Sequence, residues 1–169
     1  FIIFSGFLLR IVVALINSFI GPTLGADIDA IGFDYVASYY ALTGDTETNS
    51  LTKPGWLYSL GLGLFYRYFF DSMFFGCLLS ILAWLLTVLV VIRLLEHLRF
   101  GNNSKFYAVL ILAFLPSSVL YTSVTLREPF QMLFTTLLIY SMVRFYKTNS
   151  LMHLICLTIV SFWHAAALW

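Results

Sequence analysis

The chain has 169 residues, 61% of them hydrophobic and 10% charged, with a formal net charge of +1 and a mean hydropathy of +0.94. A soluble domain is about 45–50% apolar and about 25% charged, so this chain cannot cover a globular surface with polar groups and needs lipid as part of its solvent. With no basic patch or stripe, nucleic acid is excluded as a partner.

A spanning helix takes about 20 mainly apolar residues. Phe1–Ile20 is the first such stretch, interrupted only by Arg10. It lacks the basic start and small-residue cleavage site of a signal peptide. Arg10 has no charged neighbour in sequence and is expected to pair across helices, its partner lying in a part of the protein beyond this chain. The segment 21–72 carries six acids (Asp27, Asp29, Asp34, Asp45, Glu47 and Asp71) against Lys53 and Arg67. Within it, Phe33, Val36, Ala37, Tyr40 and Ala41 recur at helical spacing and predict an apolar helix face. Asp34 falls off that face and reads as a solvated residue. Pro54 suits the first turn of a second helix, with Thr52 as its cap. Lys53 meets an anionic headgroup or solvates its turn. Tyr and Trp in both stretches suit a bilayer interface, and 21–72 reads as an outer loop with two interfacial helices.

Met73–Leu95 is the second span. Phe106–Leu126 is the third, with a kink expected at Pro116. Pro129–Val143 reaches spanning length if Arg127 and Arg144 sit at the two membrane surfaces, and Leu151–Trp169 is the fifth. The fold class is therefore all-α, a multi-pass transmembrane helix bundle of about five spans. Residues 1–169 read as one transmembrane domain, the N-terminal part of a longer chain. Cys77 and Cys156 lie in apolar runs without metal-ligand or disulfide spacing.

Arg93, Arg99 and Lys105, and then Arg144 and Lys147, mark the cytoplasmic side two crossings apart. That puts 21–72, the turn at Arg127–Glu128 and the His164 end of the fifth span outside. It puts the glycosylation pattern Asn102-Asn103-Ser104 inside, where it would not be used. Asp29, with Asp27 and Asp34, is thereby brought to the same membrane face as Arg127, Glu128 and His164. A carboxylate there can take a proton from a hydroxyl while cations neutralise a departing phosphate.

The chain also resembles a known family. DAIGFDYVASYYALTG after the first span is similar to the Asp-x-x-x-Tyr-x-x-x-Ala pattern in the first outer loop of the GT-C superfamily of polytopic glycosyltransferases, with Phe33 where Tyr is usual. KPGWLYSLGLGLFYRYFF resembles that family's juxtamembrane helix, and LPSSVLYTSVTLREPFQML its serines before an Arg-acid pair at a span start. SFWHAAALW resembles the His-bearing helix of the exopolysaccharide-polymerase (EpsG-type) branch.

The resemblance implies a membrane glycosyltransferase or polysaccharide polymerase on the outer face of the cytoplasmic membrane. Its partners would be a polyprenyl-linked sugar donor, membrane lipids and other subunits of a membrane complex. It implies a catalytic acid at Asp29. The residues alone leave Asp29 open as a cap for a helix beginning at Ala30. They likewise leave Arg127–Glu128 open as an interfacial pair and His164 as a packing histidine. The pair Asp27 and Asp29 is a D-x-D pattern that can hold a divalent cation as cofactor. The rival readings are a transporter or flippase for a lipid-linked or anionic substrate, whose intramembrane charges line a path, and a non-catalytic subunit.

Overall fold

The computed structural model describes residues 1–21, 27–45 and 55–148, and beyond them 152, 155 and 158–161; of Asp27 it describes the backbone alone. The described residues form helices and their connections, without strands. The first helix, α1, is Ile2–Phe19. Next come α2, Asp27–Thr43, and α3, Trp56–Tyr68. The longest helix is α4, Met73–His97. Then follow α5, Asn102–Phe114, α6, Pro116–Thr122, and α7, Glu128–Thr148. His164, most of the expected fifth span, the cap and start expected at Thr52 and Pro54, Lys53 and Cys156 lie outside the described residues.

Two of these helices, α1 and α4, are long and apolar enough to cross a membrane, and α5 with α6 makes a third candidate if the bent pair is one span. At about 1.5 Å per residue, the 25 residues of α4 outreach a hydrocarbon core of about 30 Å. On α1, Phe4, Leu8, Val12, Leu15 and Phe19 are exposed along one face, while Gly6, Arg10, Ala14 and Asn17 are buried on the other. Large apolar side chains outward and small or polar ones inward is the pattern of a helix solvated by lipid and packed through close backbone approach.

The bend between α5 and α6 is 58° and falls at Pro116, as its ring and missing amide hydrogen require. Proline leaves the Leu112 carbonyl without its donor four residues on. Three side chains supply one instead: Trp84 Nε1 at 3.1 Å, Ser118 Oγ at 3.0 Å and Arg10 Nη2 at 2.9 Å. Arg10 is fully buried. It also donates to the Ala113 carbonyl at 2.9 Å, to the Gly6 carbonyl, to Thr122 Oγ1 at 2.7 Å and to Ser118 Oγ. Its guanidinium carbon lies 3.7 Å from the centre of the Trp84 ring. The expected interhelical partner is therefore not an acid in a missing part of the protein. It is a set of carbonyls and hydroxyls exposed by the Pro116 break within this chain.

The chain directions follow from paired contacts. The α1 end meets the α4 start through Phe19 and Phe74, so α1 and α4 are antiparallel. Thr125, just before α7, bonds to the Met73 carbonyl at the α4 start. At the far end Arg144 and Lys147 of α7 both contact His97, so α4 and α7 run in parallel. Lys105 at the α5 start faces Glu96 at 3.9 Å. Arg144, Lys147 and Lys105 thus collect at one end of the bundle, and α2, α3 and Glu128 at the other.

Candidate functional site

The end of the bundle that carries the acids is built on the connection between α6 and α7. Thr122, Ser123, Val124, Thr125 and Leu126 are all buried, although the stretch after Thr122 is not helical. Non-helical backbone among apolar helices must satisfy its own polar groups. Here Leu126 N bonds to the Val124 carbonyl at 2.9 Å, Ser123 Oγ donates to the Val119 carbonyl, and Thr125 Oγ1 donates to that of Met73 at 3.3 Å. The first half of α2 lies over this stretch: Ala30 packs on Val124 and Leu126, with Phe33 against them.

α2 and α3 run side by side in the same direction. Gly55 lies under Phe33, Gly63 against Ala37 and Tyr40, and Gly44 against Arg67. Gly55 opens α3 at φ 87°, a left-handed conformation that favours glycine. A Cβ there would come within 2.8 Å of the Phe33 ring and 3.4 Å of Arg127 Cδ. The α3 start, Phe33 and Arg127 are therefore one neighbourhood. Arg127 Nε stands 4.0 Å from Glu128 Oε1, both side chains partly exposed, which brings the expected Arg127–Glu128 pair together.

Asp29 is exposed. It is the third residue of α2, which begins at Asp27, and not a cap for a helix beginning at Ala30. An acid in a first turn is favourable in its own right. The expected Asp27–Asp29 cation site rests partly on a side chain outside the described residues. Among the described residues, no three His, Cys, Asp or Glu side chains group to hold a metal ion.

Asp34 differs most from expectation. It is not a solvated residue: it is half-buried and accepts a 2.5 Å hydrogen bond from the hydroxyl of Tyr66, itself 3% exposed. Burial pushes its carboxyl above the ordinary 3.8. The Tyr66 bond opposes the shift and nearby Asp71 adds to it. Asp71 in turn accepts from Ser38 at 2.6 Å. The Tyr66 hydroxyl reaches the first turn of α4 because residue 76 is glycine. A Cβ there would lie 2.5 Å from that oxygen and 3.0 Å from the Thr125 side chain. The missed signal is a stripe of small residues. Ala30, Ala37 and Ala41 recur along one side of α2, and Ala30 and Ala37 are fully buried. Asp34 is four residues after Ala30 and three before Ala37, on the side where α2 is approached most closely.

Tyr58 sits between Phe33, edge-on at 5.2 Å, and Phe130 at 5.6 Å. Its hydroxyl and Ser80 Oγ are buried together, and Glu128 Oε2 is buried without a hydrogen-bond partner. Asp34 and Glu128 are close enough to the Tyr58 hydroxyl to act on it electrostatically. Beyond Tyr58 an apolar groove of about 340 Å³ runs between α3, α4 and α7, past Leu62, Phe65, Leu82, Leu86 and Phe134.

No family model, curated protein or solved structure matches the chain.

Proposed function

We propose that the chain is part of a membrane glycosyltransferase of the GT-C type that takes a sugar from a polyprenyl-phosphate donor to an acceptor hydroxyl. The observation that carries this reading is the groove. It is lined by residues of α3, α4 and α7, among them Phe130, which is within a turn of the Arg127–Glu128 pair. A prenyl chain matches the groove in chemistry. The guanidinium of Arg127 matches phosphate oxygens in a way an ammonium cannot. The motif resemblance supplies the reaction class, sugar transfer with the lipid phosphate as leaving group. On this reading the acidic end faces outward from the cytoplasmic membrane, α2 and α3 lie at its outer interface, and α7 and the stretch after 150 complete five spans. The opposite-end clustering of Arg144, Lys147 and Lys105 supports that sidedness.

Gly61 provides the test. It lines the groove, and a Cβ there meets nothing within 4 Å, so Gly61→Leu starts from open space, intrudes into the groove and raises helix propensity. Purified variant and wild type are compared for turnover of a polyprenyl-phosphate sugar and for melting temperature in detergent. The expected result is a higher KM for donor with the melting temperature kept. Unchanged donor kinetics would remove the groove from the function.

A transporter is favoured by one observation: the broken pair α5–α6, followed by buried non-helical backbone, is a construction used at substrate paths. Counterflow of labelled lipid-linked sugar in proteoliposomes, without any transfer, would select it.

A further inference from the structure

We propose that Asp34, held by Tyr66, is the carboxylate that takes the acceptor's proton, and that Asp29 is not. The inference rests on the glycosyl-transfer reading above and names the residue that performs its proton step. Three observations lead to it. The Asp34 carboxyl is half-buried against α3 and held at 2.5 Å by a hydroxyl that is itself fixed, since Tyr66 is packed with Ala37 and Leu62 and its oxygen rests on Gly76. Asp29 is exposed, and among the described residues no hydrogen bond or ion pair holds its side chain in one place. Finally, Glu128 Oε2 is buried without a hydrogen-bond partner, and the Tyr58 hydroxyl is buried beside Ser80. The Tyr58 hydroxyl is close enough to Asp34 and to Glu128 for each to act on it electrostatically, and Tyr58 lines the groove. Polar groups buried and unpaired beside a substrate groove are groups a hydroxyl-rich ligand can satisfy.

In the step itself, an Asp34 oxygen receives the proton of the acceptor hydroxyl as that oxygen bonds to the anomeric carbon of the sugar. The bond from that carbon to the phosphate oxygen breaks, and its electron pair stays with the lipid phosphate beside Arg127. The proton then leaves Asp34 to solvent. A base must be basic enough to accept a proton near the working pH; burial makes the Asp34 carboxylate more basic, and the Tyr66 bond holds it in its ionised form. Tyr66 acts as a positioning residue: it fixes which oxygen faces the acceptor. The ionisable groups around Asp34 are Tyr66 and Tyr58 of α3, Asp71 before α4, Cys77 of α4 and, through Tyr58, Glu128.

The test uses the purified protein with a panel of polyprenyl-phosphate sugars, following transfer from pH 5 to 9 together with donor binding and detergent melting temperature. Asp34→Asn keeps the shape and can still accept from Tyr66; it is expected to lose roughly 10²–10⁴-fold in kcat with donor binding kept. Tyr66→Phe removes one hydroxyl. Because that bond lowers the Asp34 pKa, the acid limb of the rate profile is expected to move to higher pH, which a purely structural role would not produce. Asp29→Asn is expected to stay within a few-fold of wild type. A wild type that transfers while Asp34→Asn retains its kcat, or while Asp29→Asn takes the large loss, overturns this inference and leaves the function standing. A wild type that binds donor and never transfers overturns both.

Discussion

Arg10 Nη2 donates to the Leu112 carbonyl at 2.9 Å, the acceptor to which Pro116 offers no amide hydrogen. A cation on the first helix thus mends a break in the fifth, 102 residues later in the chain. It does so with five donated bonds to Leu112, Ala113, Gly6, Ser118 and Thr122. The planar, forked donor set of a guanidinium suits acceptors spread over three helices. Buried arginine without an acid is costly unless every donor is used, and here the carbonyls of the break use them.

Arg10→Ala withdraws donors from the break and abandons the Trp84 ring. Each buried acceptor left unsatisfied costs about 1–3 kcal/mol and a desolvated cation–π contact about 2 kcal/mol. The detergent melting temperature is expected to fall sharply, and Arg10→Lys, with three donors on one nitrogen, to fall between alanine and wild type. Equal melting of all three would show that the break is stable unaided.

Asp34 makes folding stability depend on pH. Its folded pKa is raised above the ordinary 3.8, so in the window between these values the folded state holds a proton that the unfolded state has released. Stability therefore declines as pH rises through that window and levels off above the raised value. Asp34→Asn is expected to flatten this slope in pH-dependent chemical denaturation. A variant that keeps the wild-type slope would assign it to other groups.

Gly76→Ala places a methyl where the Tyr66 oxygen and Thr125 now touch the helix. Tyr66 is buried and cannot swing outward, so its bond to Asp34 is expected to break. Transfer should drop, and the acid limb should move up as in Tyr66→Phe, while Gly32→Ala, with open space around it, leaves both unchanged. Identical behaviour of the two alanines would show that the Gly76 contact has no consequence.

Arg127 is expected to act on the leaving phosphate. Arg127→Lys should lower kcat and Arg127→Ala should lower it further, by about 3 kcal/mol if the contact strengthens as charge develops. Loss of melting temperature at unchanged turnover per folded molecule would make it an anchor instead.

Sidedness is checked with Asp45→Cys and Asn103→Cys, both at exposed positions, in a background with the native cysteines replaced by alanine. An impermeant thiol reagent applied to intact cells is expected to label only position 45. Labelling at 103 would invert the orientation and detach the site from the outer face.

Much of the fold is legible from patterns of one dimension. Apolar length marks α1 and α4, and Pro116 marks the bend, because each depends on residues close in sequence. The helix Trp56–Tyr68 follows from its Tyr- and Trp-bearing composition and from Pro54 ahead of it. The environment of Asp34 does not follow, since it is made by Tyr66 and by the absence of a side chain at Gly76, neither visible in the periodicity of α2. The role of Arg10 was hidden for the same reason: a sequence search for its partner looks for acids, whereas the acceptors are backbone carbonyls that only a bent helix exposes.

The parallel course of α4 and α7 has an electrical consequence. Each helix carries the equivalent of about half a positive charge at its start and half a negative charge at its end, and in a parallel pair these add. Both starts, at Met73 and Glu128, lie at the end that holds Asp34, Tyr58 and Arg127. Both ends are met by Arg144 and Lys147 around His97. The two helices therefore act as one axial dipole, with its positive pole at the groove mouth and its negative pole neutralised. A lipid phosphate arriving there would meet a fixed field before it met any single side chain, and that field, set in backbone, persists at every pH.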